Sequence, residues 1–236
     1  MEIEELRRLA AKEELSLNYI AKDLMISKAL FQLQNVENIV LKGGTAINRA
    51  YLRNRRFSED IDFDLIFKGT VKQALSKTKE ITAIITGFEV AKPRIMKTTI
   101  RYDLFYINPL NHKDKIRLEF RVVDKASKYT QKIVNFGFAP TDSALLNVYE
   151  IEEMIKHKID CILNRLEGKD WYDLYYLLKL NHKPIKIPKK EIIEKITLQN
   201  EQIKMAANIV NHYIPKNKRP NWEIFLKELK EKIEKE

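Results

Sequence analysis

The sequence predicts an α+β (mixed α/β) protein, with a mixed β-sheet and helices over residues 1–142 and a helical half over 143–236. Two periodicities predict it. Acids or cations alternate with hydrophobes in DIDFDLIF and in DKIRLEFRVVD, the period of a strand with one apolar face. From about residue 148 onward, apolar residues recur at helical spacing, and Pro184, Pro188, Pro215 and Pro220 punctuate the segments.

Taken in order, Leu6, Leu9, Ile20, Leu24, Ile26, Leu30 and Phe31 predict two helices within residues 3–33. NIVLKGG at 38–44 reads as a buried strand entering a tight turn, and TAINRAYL at 45–52 as a helix. A strand is expected at 60–67 and a helix at about 71–84. FEVAK, TTIRYDLFYIN and DKIRLEFRVVD read as further strands, the last two joined by a hairpin turn at 108–114. Helices are expected at 148–166, 170–180, 189–197, 201–214 and 221–236.

Composition bounds the chemistry. The 236 residues, 44% of them hydrophobic, can bury a real core. No apolar run is long enough to span a bilayer and the N-terminus is too charged for a secretory signal, so a cytoplasmic protein without membrane partners is expected. The single cysteine, Cys161, excludes an internal disulfide and a cysteine-based zinc cluster, which leaves oxygen ligands for any metal. A net charge of +10 favours polyanions such as RNA, although a general lysine and isoleucine bias yields the same excess.

The acidic strand carries the most specific signal. Alternate residues point to one face at a separation of roughly 6.5 to 7 Å, so Asp60 and Asp62 can converge on one hard cation, Mg²⁺ or Mn²⁺. Asp64 shares that face, and three acids in a row repel unless cations relieve them. The alternative is the wet side of an edge strand, paired with Arg53, Arg55 or Arg56. Upstream, Gly43, Gly44 and Thr45 form a turn at the start of a helix, where backbone N–H groups favour phosphate; Ser58 stands just ahead of the acidic pair and joins that set. Phosphate binding beside metal binding is what phosphoryl transfer requires. Glu119 alternates correctly to add a third carboxylate, with Asp103 as the competing choice.

LKGGTAINRAYLRNRRFSEDIDFDL resembles the Gly-Gly…Asp-x-Asp motif of the AbiEii/AbiGii toxin family, a branch of the nucleotidyltransferase superfamily. EEMIKHKIDCILNRLEGKDWYDLYYLL resembles that family's helical motif at Glu153, Lys158, Arg165, Asp170 and Asp173, the two motifs together covering roughly residues 38–180. Lys158 and Arg165 share a helix face, while Asp170 at the start of the next helix also suits a simple N-cap. The resemblance implies a nucleotidyltransferase-like sheet, Lys158 (or Lys156) on nucleotide phosphates, Asp170 completing the site and Asp173 bracing the helix pair. It also implies a nucleoside triphosphate substrate, a toxin role, tRNA 3′ ends as one acceptor class and a winged-helix antitoxin encoded nearby. Tyr172, Tyr175 and Tyr176 are candidates for stacking bases, though their helical spacing equally suits a core. Two other readings stay open: transfer to a small molecule or protein, and a catalytically silent nucleic-acid-binding module.

Overall fold

The computed structural model describes residues 2–134, 137–138 and 143–236. The chain forms two compact units, Met1–Tyr149 and Glu150–Glu236. Unit 1 begins with helices α1 (Ile3–Glu13) and α2 (Leu17–Gln32), followed by strand β1 (Ile39–Lys42). A short helix α3 (Gly43–Ala46) runs directly into one π-helical stretch at Ile47–Tyr51. Then come β2 (Asp60–Ile66), α4 (Val71–Ala83), β3 (Glu89–Val90), β4 (Arg94–Ile95), β5 (Thr99–Ile107), β6 (Lys113–Val123), β7 (Tyr129–Val134) and β8 (Ala144–Tyr149).

These strands build one mixed sheet in the order β3-β5-β6-β2-β1-β8-β7, with β4 pairing on β5. β2 runs antiparallel to β1 and parallel to β6, so the acidic strand lies in the middle of the sheet. That position excludes the edge-strand alternative. Ile61, Phe63 and Leu65 of β2 and Ile116, Leu118 and Phe120 of β6 are buried on one face, where Phe63 stacks on Phe120 at 5.9 Å. Alternation therefore turns Asp60 and Asp62, and the odd-numbered residues of β6, to the other face.

β8 lies within the segment expected to begin the helical half, and the boundary between units falls after it. Its inward residues Ala144, Leu146 and Val148 alternate with an equally apolar Leu145, so no period of two is visible in the sequence. β7 and the two-residue β4 are likewise additions to the expected strands.

Unit 2 contains α5 (Ile151–Asn164), α6 (Gly168–Leu177), α7 (Lys189–Leu198), α8 (Asn200–Val210) and α9 (Trp222–Lys235), close to the expected helices. Its core includes Trp171 and an aromatic cluster of Tyr172, Tyr175, Trp222 and Phe225, in which Tyr175 and Phe225 approach to 4.3 Å. Lys195 Nζ donates to the carbonyls of Ile162 and Leu163 at 2.6 and 3.3 Å, capping the end of α5.

Among the described residues, no helix is long and apolar enough to cross a membrane.

Candidate active site

The turn after β1 and the strand β2 are fitted to each other at atomic contact. Gly43 has φ +71°, and a Cβ there would stand 2.4 Å from Asp62 Oδ2. At Gly44 a Cβ would meet Arg56 Nη2 at 2.5 Å and Ser58 Oγ at 2.7 Å. A Cβ at either position would force these side-chain tips to shift, and the left-handed backbone at Gly43 independently favours glycine. Asn48 secures the turn, donating to the Gly44 carbonyl at 3.0 Å and accepting from the Arg56 N–H at 3.2 Å. The π-helical turn that carries Asn48 is the kind of local irregularity that recurs at functional sites. Thr45 is fully buried and its hydroxyl donates to the Asp60 carbonyl, so this side chain joins turn to strand and is not presented to a ligand.

Across the sheet face, charge is laid out by register. Asp60 lies opposite Arg117 and bonds to it at 3.2 Å. Asp62 lies between Lys42 on β1 and Glu119 on β6. Glu119 is opposite Arg101 and accepts from its Nε and Nη2 at 2.8 and 2.7 Å. Asp103 faces Arg117 in a different row and is held by Lys115 at 2.9 Å, whose hydrogen bond lowers its pKa. Of the two candidates for the third carboxylate, Glu119 is the one directly across from Asp62. Each of the neighbouring rows pairs an acid with a base between β2 and β6; only the Asp62–Glu119 row sets two acids side by side.

Asp64 does not share the exposed face of its neighbours. It is fully buried and binds Arg121 through both oxygens, Lys42 Nζ at 2.6 Å and the Tyr149 hydroxyl at 2.6 Å. Burial alone would raise its pKa, but Arg121 and Lys42 outweigh burial and hold it below the ordinary carboxylate value. Burial first, and then the Asp64 carboxylate, push the Tyr149 phenol upward, while Arg121 opposes them. This hub ties β2 to β1, β6 and β8 two residues from Asp62, and it is the site feature that sequence reading missed. The cations that complete it, Lys42 and Arg121, and Arg117 beside Asp60, were visible only as alternating charges.

Among the described residues, no group of three or more His, Cys, Asp or Glu is arranged to hold a metal ion. The reason is local: Asp60 and Glu119 each face an arginine, so the three expected acids are not gathered on one point. The donors nevertheless have the chemistry of a hard-cation site, carboxylate oxygens on adjacent rows of a rigid sheet.

In unit 2, Lys158 is buried and its Nζ lies 2.7 Å from Asp170 and 2.8 Å from Asp173. Arg165 reaches Asp170 through Nε at 2.7 Å and Nη2 at 3.1 Å. Burial of Asp170 is overcome by Lys158 and Arg165, which depress its pKa. Asp170 is an ion-pair centre and not the N-cap, a position held by Glu167. Lys156 is exposed and pairs with Glu153 at 2.7 Å. Tyr172 and Tyr175 lie in the aromatic core, so these two are not surfaces for stacking bases. Tyr176 packs on the same cluster, 4.7 Å from Tyr172.

A glycine turn closed onto an Asp-x-Asp strand in a mixed sheet is the arrangement that the resemblance to a nucleotidyltransferase implies. The profile of the AbiEii nucleotidyl transferase toxin family, a type IV toxin–antitoxin family, matches residues 28–235, and the chain belongs to that family. Its fold is shared by JHP933 from Helicobacter pylori, at 19% identity over 93% of this chain and 92% of that one, with a TM-score of 0.63. It is shared equally by MenT4, a nucleotidyltransferase toxin from Mycobacterium tuberculosis H37Rv, at 16% identity over 99% and 88% of the two chains, with a TM-score of 0.66. A search of curated proteins found no match to the chain.

Proposed function

We propose that this nucleotidyltransferase is the toxin of a two-gene system and transfers a nucleoside monophosphate from a nucleoside triphosphate to a hydroxyl of RNA, with the tRNA 3′ end as the acceptor. The observation that carries the reading is the close approach of the Asp62 carboxylate to Gly43, where an added Cβ would stand 2.4 Å from Oδ2; it supports a phosphate turn beside a metal-type acid.

A divalent cation, Mg²⁺ or Mn²⁺, held by Asp60 and Asp62 would offset the charge of the triphosphate. Gly43 and Gly44 offer backbone N–H groups to phosphate oxygens, with the Ser58 hydroxyl beside them; Thr45 fixes the turn from below. Glu119, oriented by Arg101, is positioned across from Asp62 to take the acceptor proton. The acceptor oxygen forms a bond to the α-phosphorus, the bond to the bridging oxygen breaks, and pyrophosphate leaves.

Within the same proposal Lys158 contacts phosphate and Asp170 organises it. Engaging phosphate requires Lys158 Nζ to exchange one of its two carboxylate partners. The excess of ten positive charges supports an RNA acceptor, and the toxin family supports an antitoxin partner, which we take to be a winged-helix protein encoded nearby.

Incubation with labelled nucleotides and separate tRNA, protein and small-molecule acceptors tests the reading. Label in tRNA that is lost in Asp62→Ala is expected; label in protein or in a small molecule alone overturns the RNA assignment.

A further inference from the structure

The face that holds Asp62 and Glu119 continues along β6 as a row of cations. Lys113, Lys115, Arg117, Glu119 and Arg121 alternate onto it, and their β5 partners include Phe105, opposite Lys115. Phe105 is half-buried, and the ammonium groups of Lys113 and Lys115 stand 4.9 and 5.8 Å from its ring centre. Beside it a cavity of about 450 Å³ opens between Phe88, Glu89, Ile107 and Lys113, with Ile107 61% exposed. An aromatic ring flanked by cations at the rim of an open cavity is the chemistry of a nucleobase platform, where a ring stacks and the cations take the adjoining phosphates.

The ion pairs already on this row do not oppose such a ligand. Lys113 pairs with Glu89 at 3.7 Å and Lys115 with Asp103 at 2.9 Å, and both lysine side chains are about half exposed or more, at 62% and 49%. The Lys113–Glu89 pair is a surface pair, worth at most about 1 kcal/mol, so phosphate can replace it; Asp103 is buried, and it keeps Arg94 at 3.5 Å when Lys115 turns to a phosphate. From Lys115 to Glu119 the strand advances roughly 13 Å, with Arg117 midway, a span of a few nucleotides.

We propose that this row is the track for the acceptor strand: single-stranded RNA stacks a base on Phe105, lays its phosphates along Lys113, Lys115 and Arg117, and delivers its terminal hydroxyl to the Asp62–Glu119 row. The inference rests on the reading of RNA as acceptor and adds the surface that selects it.

The test measures binding of a fluorescein-labelled single-stranded RNA 12-mer to the full chain by anisotropy, across a potassium chloride series, together with transfer to tRNA. Phe105→Leu keeps the apolar volume and removes the ring; it is expected to weaken binding roughly 5- to 150-fold, to raise KM for tRNA, and to leave KM for the nucleotide and Tm unchanged. Phe105→Trp is expected to restore binding. Lys113→Ala with Lys115→Ala is expected to lower the salt slope by about 1.4, near 0.7 per phosphate contact. If Phe105→Leu and the double lysine variant bind RNA as the wild type does, the ring only covers the sheet and the track is wrong. If RNA binds in a Phe105-dependent manner but no label enters RNA, the track stands and the acceptor assignment falls. If label enters tRNA equally well in Phe105→Leu, the acceptor assignment stands and the track falls.

Discussion

Replacing Gly43 by alanine places a single methyl group where the site has no room for it. The added Cβ would lie 2.4 Å from Asp62 Oδ2, and real contacts begin at 3.0 Å, so the carboxylate or the turn must give way by about 0.6 Å. The backbone, at φ +71°, adds the strain of a left-handed alanine, about 1–2 kcal/mol. A displacement of about 1 Å in a reacting constellation can lower the rate roughly 100-fold, so a shift of this size is expected to lower kcat by tens of fold. Gly87→Ala separates the two effects: Gly87 has φ +80° with nothing within 4 Å of its would-be Cβ, so its thermal melt reports the strain alone. Transfer of labelled nucleotide and Tm are then measured for Gly43→Ala. The reasoning predicts a fall in Tm at least as large as that of Gly87→Ala and a large loss of kcat. Unchanged kcat in a folded Gly43→Ala protein would refute the claim that the turn and Asp62 form one site.

Other outcomes follow from the buried charges. Asp64→Ala strands Arg121 and Lys42 without their shared carboxylate and is expected to lower stability by about 3–5 kcal/mol in urea titration. Because the folded-state pKa of Asp64 is depressed, its contribution is complete above the unfolded value of about 3.9 and disappears as pH falls through the folded value. Wild type should therefore lose stability on acidification more steeply than Asp64→Ala, and equal acid limbs would contradict the assignment. Asp170→Ala leaves Lys158 and Arg165 poorly paired, and a loss of similar size is expected in the helical signal of unit 2 by circular dichroism. Lys158→Met is expected to raise KM for the nucleotide at least about tenfold; a fall in Tm with KM unchanged would mark Lys158 as structural only.

Much of this site was legible in the sequence because its signals are local. Gly43-Gly44 ahead of a helix and the alternation of Asp60 and Asp62 with Ile61 and Phe63 each specify their own geometry within a few residues. The paired strands TTIRYDLFYIN and DKIRLEFRVVD were readable for the same reason, since one turn fixes their register. What remained hidden depends on pairing between distant segments. Asp64 and Arg121 are 57 residues apart in sequence, and only the parallel pairing of β2 with β6 brings them together. Read by alternation alone, Asp64 belonged with Asp60 and Asp62 on an open face; the structure covers it with Lys42, Arg121 and Tyr149. The anchoring of the Thr45 hydroxyl was hidden in the same way, because its partner, the Asp60 carbonyl, lies on another strand. In unit 2 the helical spacing gave Lys158 and Arg165 one face, yet their common attachment to Asp170 needed the packing of α5 on α6.

The central claim is that Asp62, held against the Gly43 turn, is the acid on which nucleotide transfer depends. Asp62→Asn preserves shape while removing the charge, so transfer of labelled nucleotide by wild type and by this variant, with and without a chelator, tests it most directly. The account predicts chelator-sensitive transfer by wild type and a loss of at least about 100-fold in the variant, near 2.7 kcal/mol of barrier, at an unchanged Tm. Transfer by Asp62→Asn at the wild-type rate would contradict it.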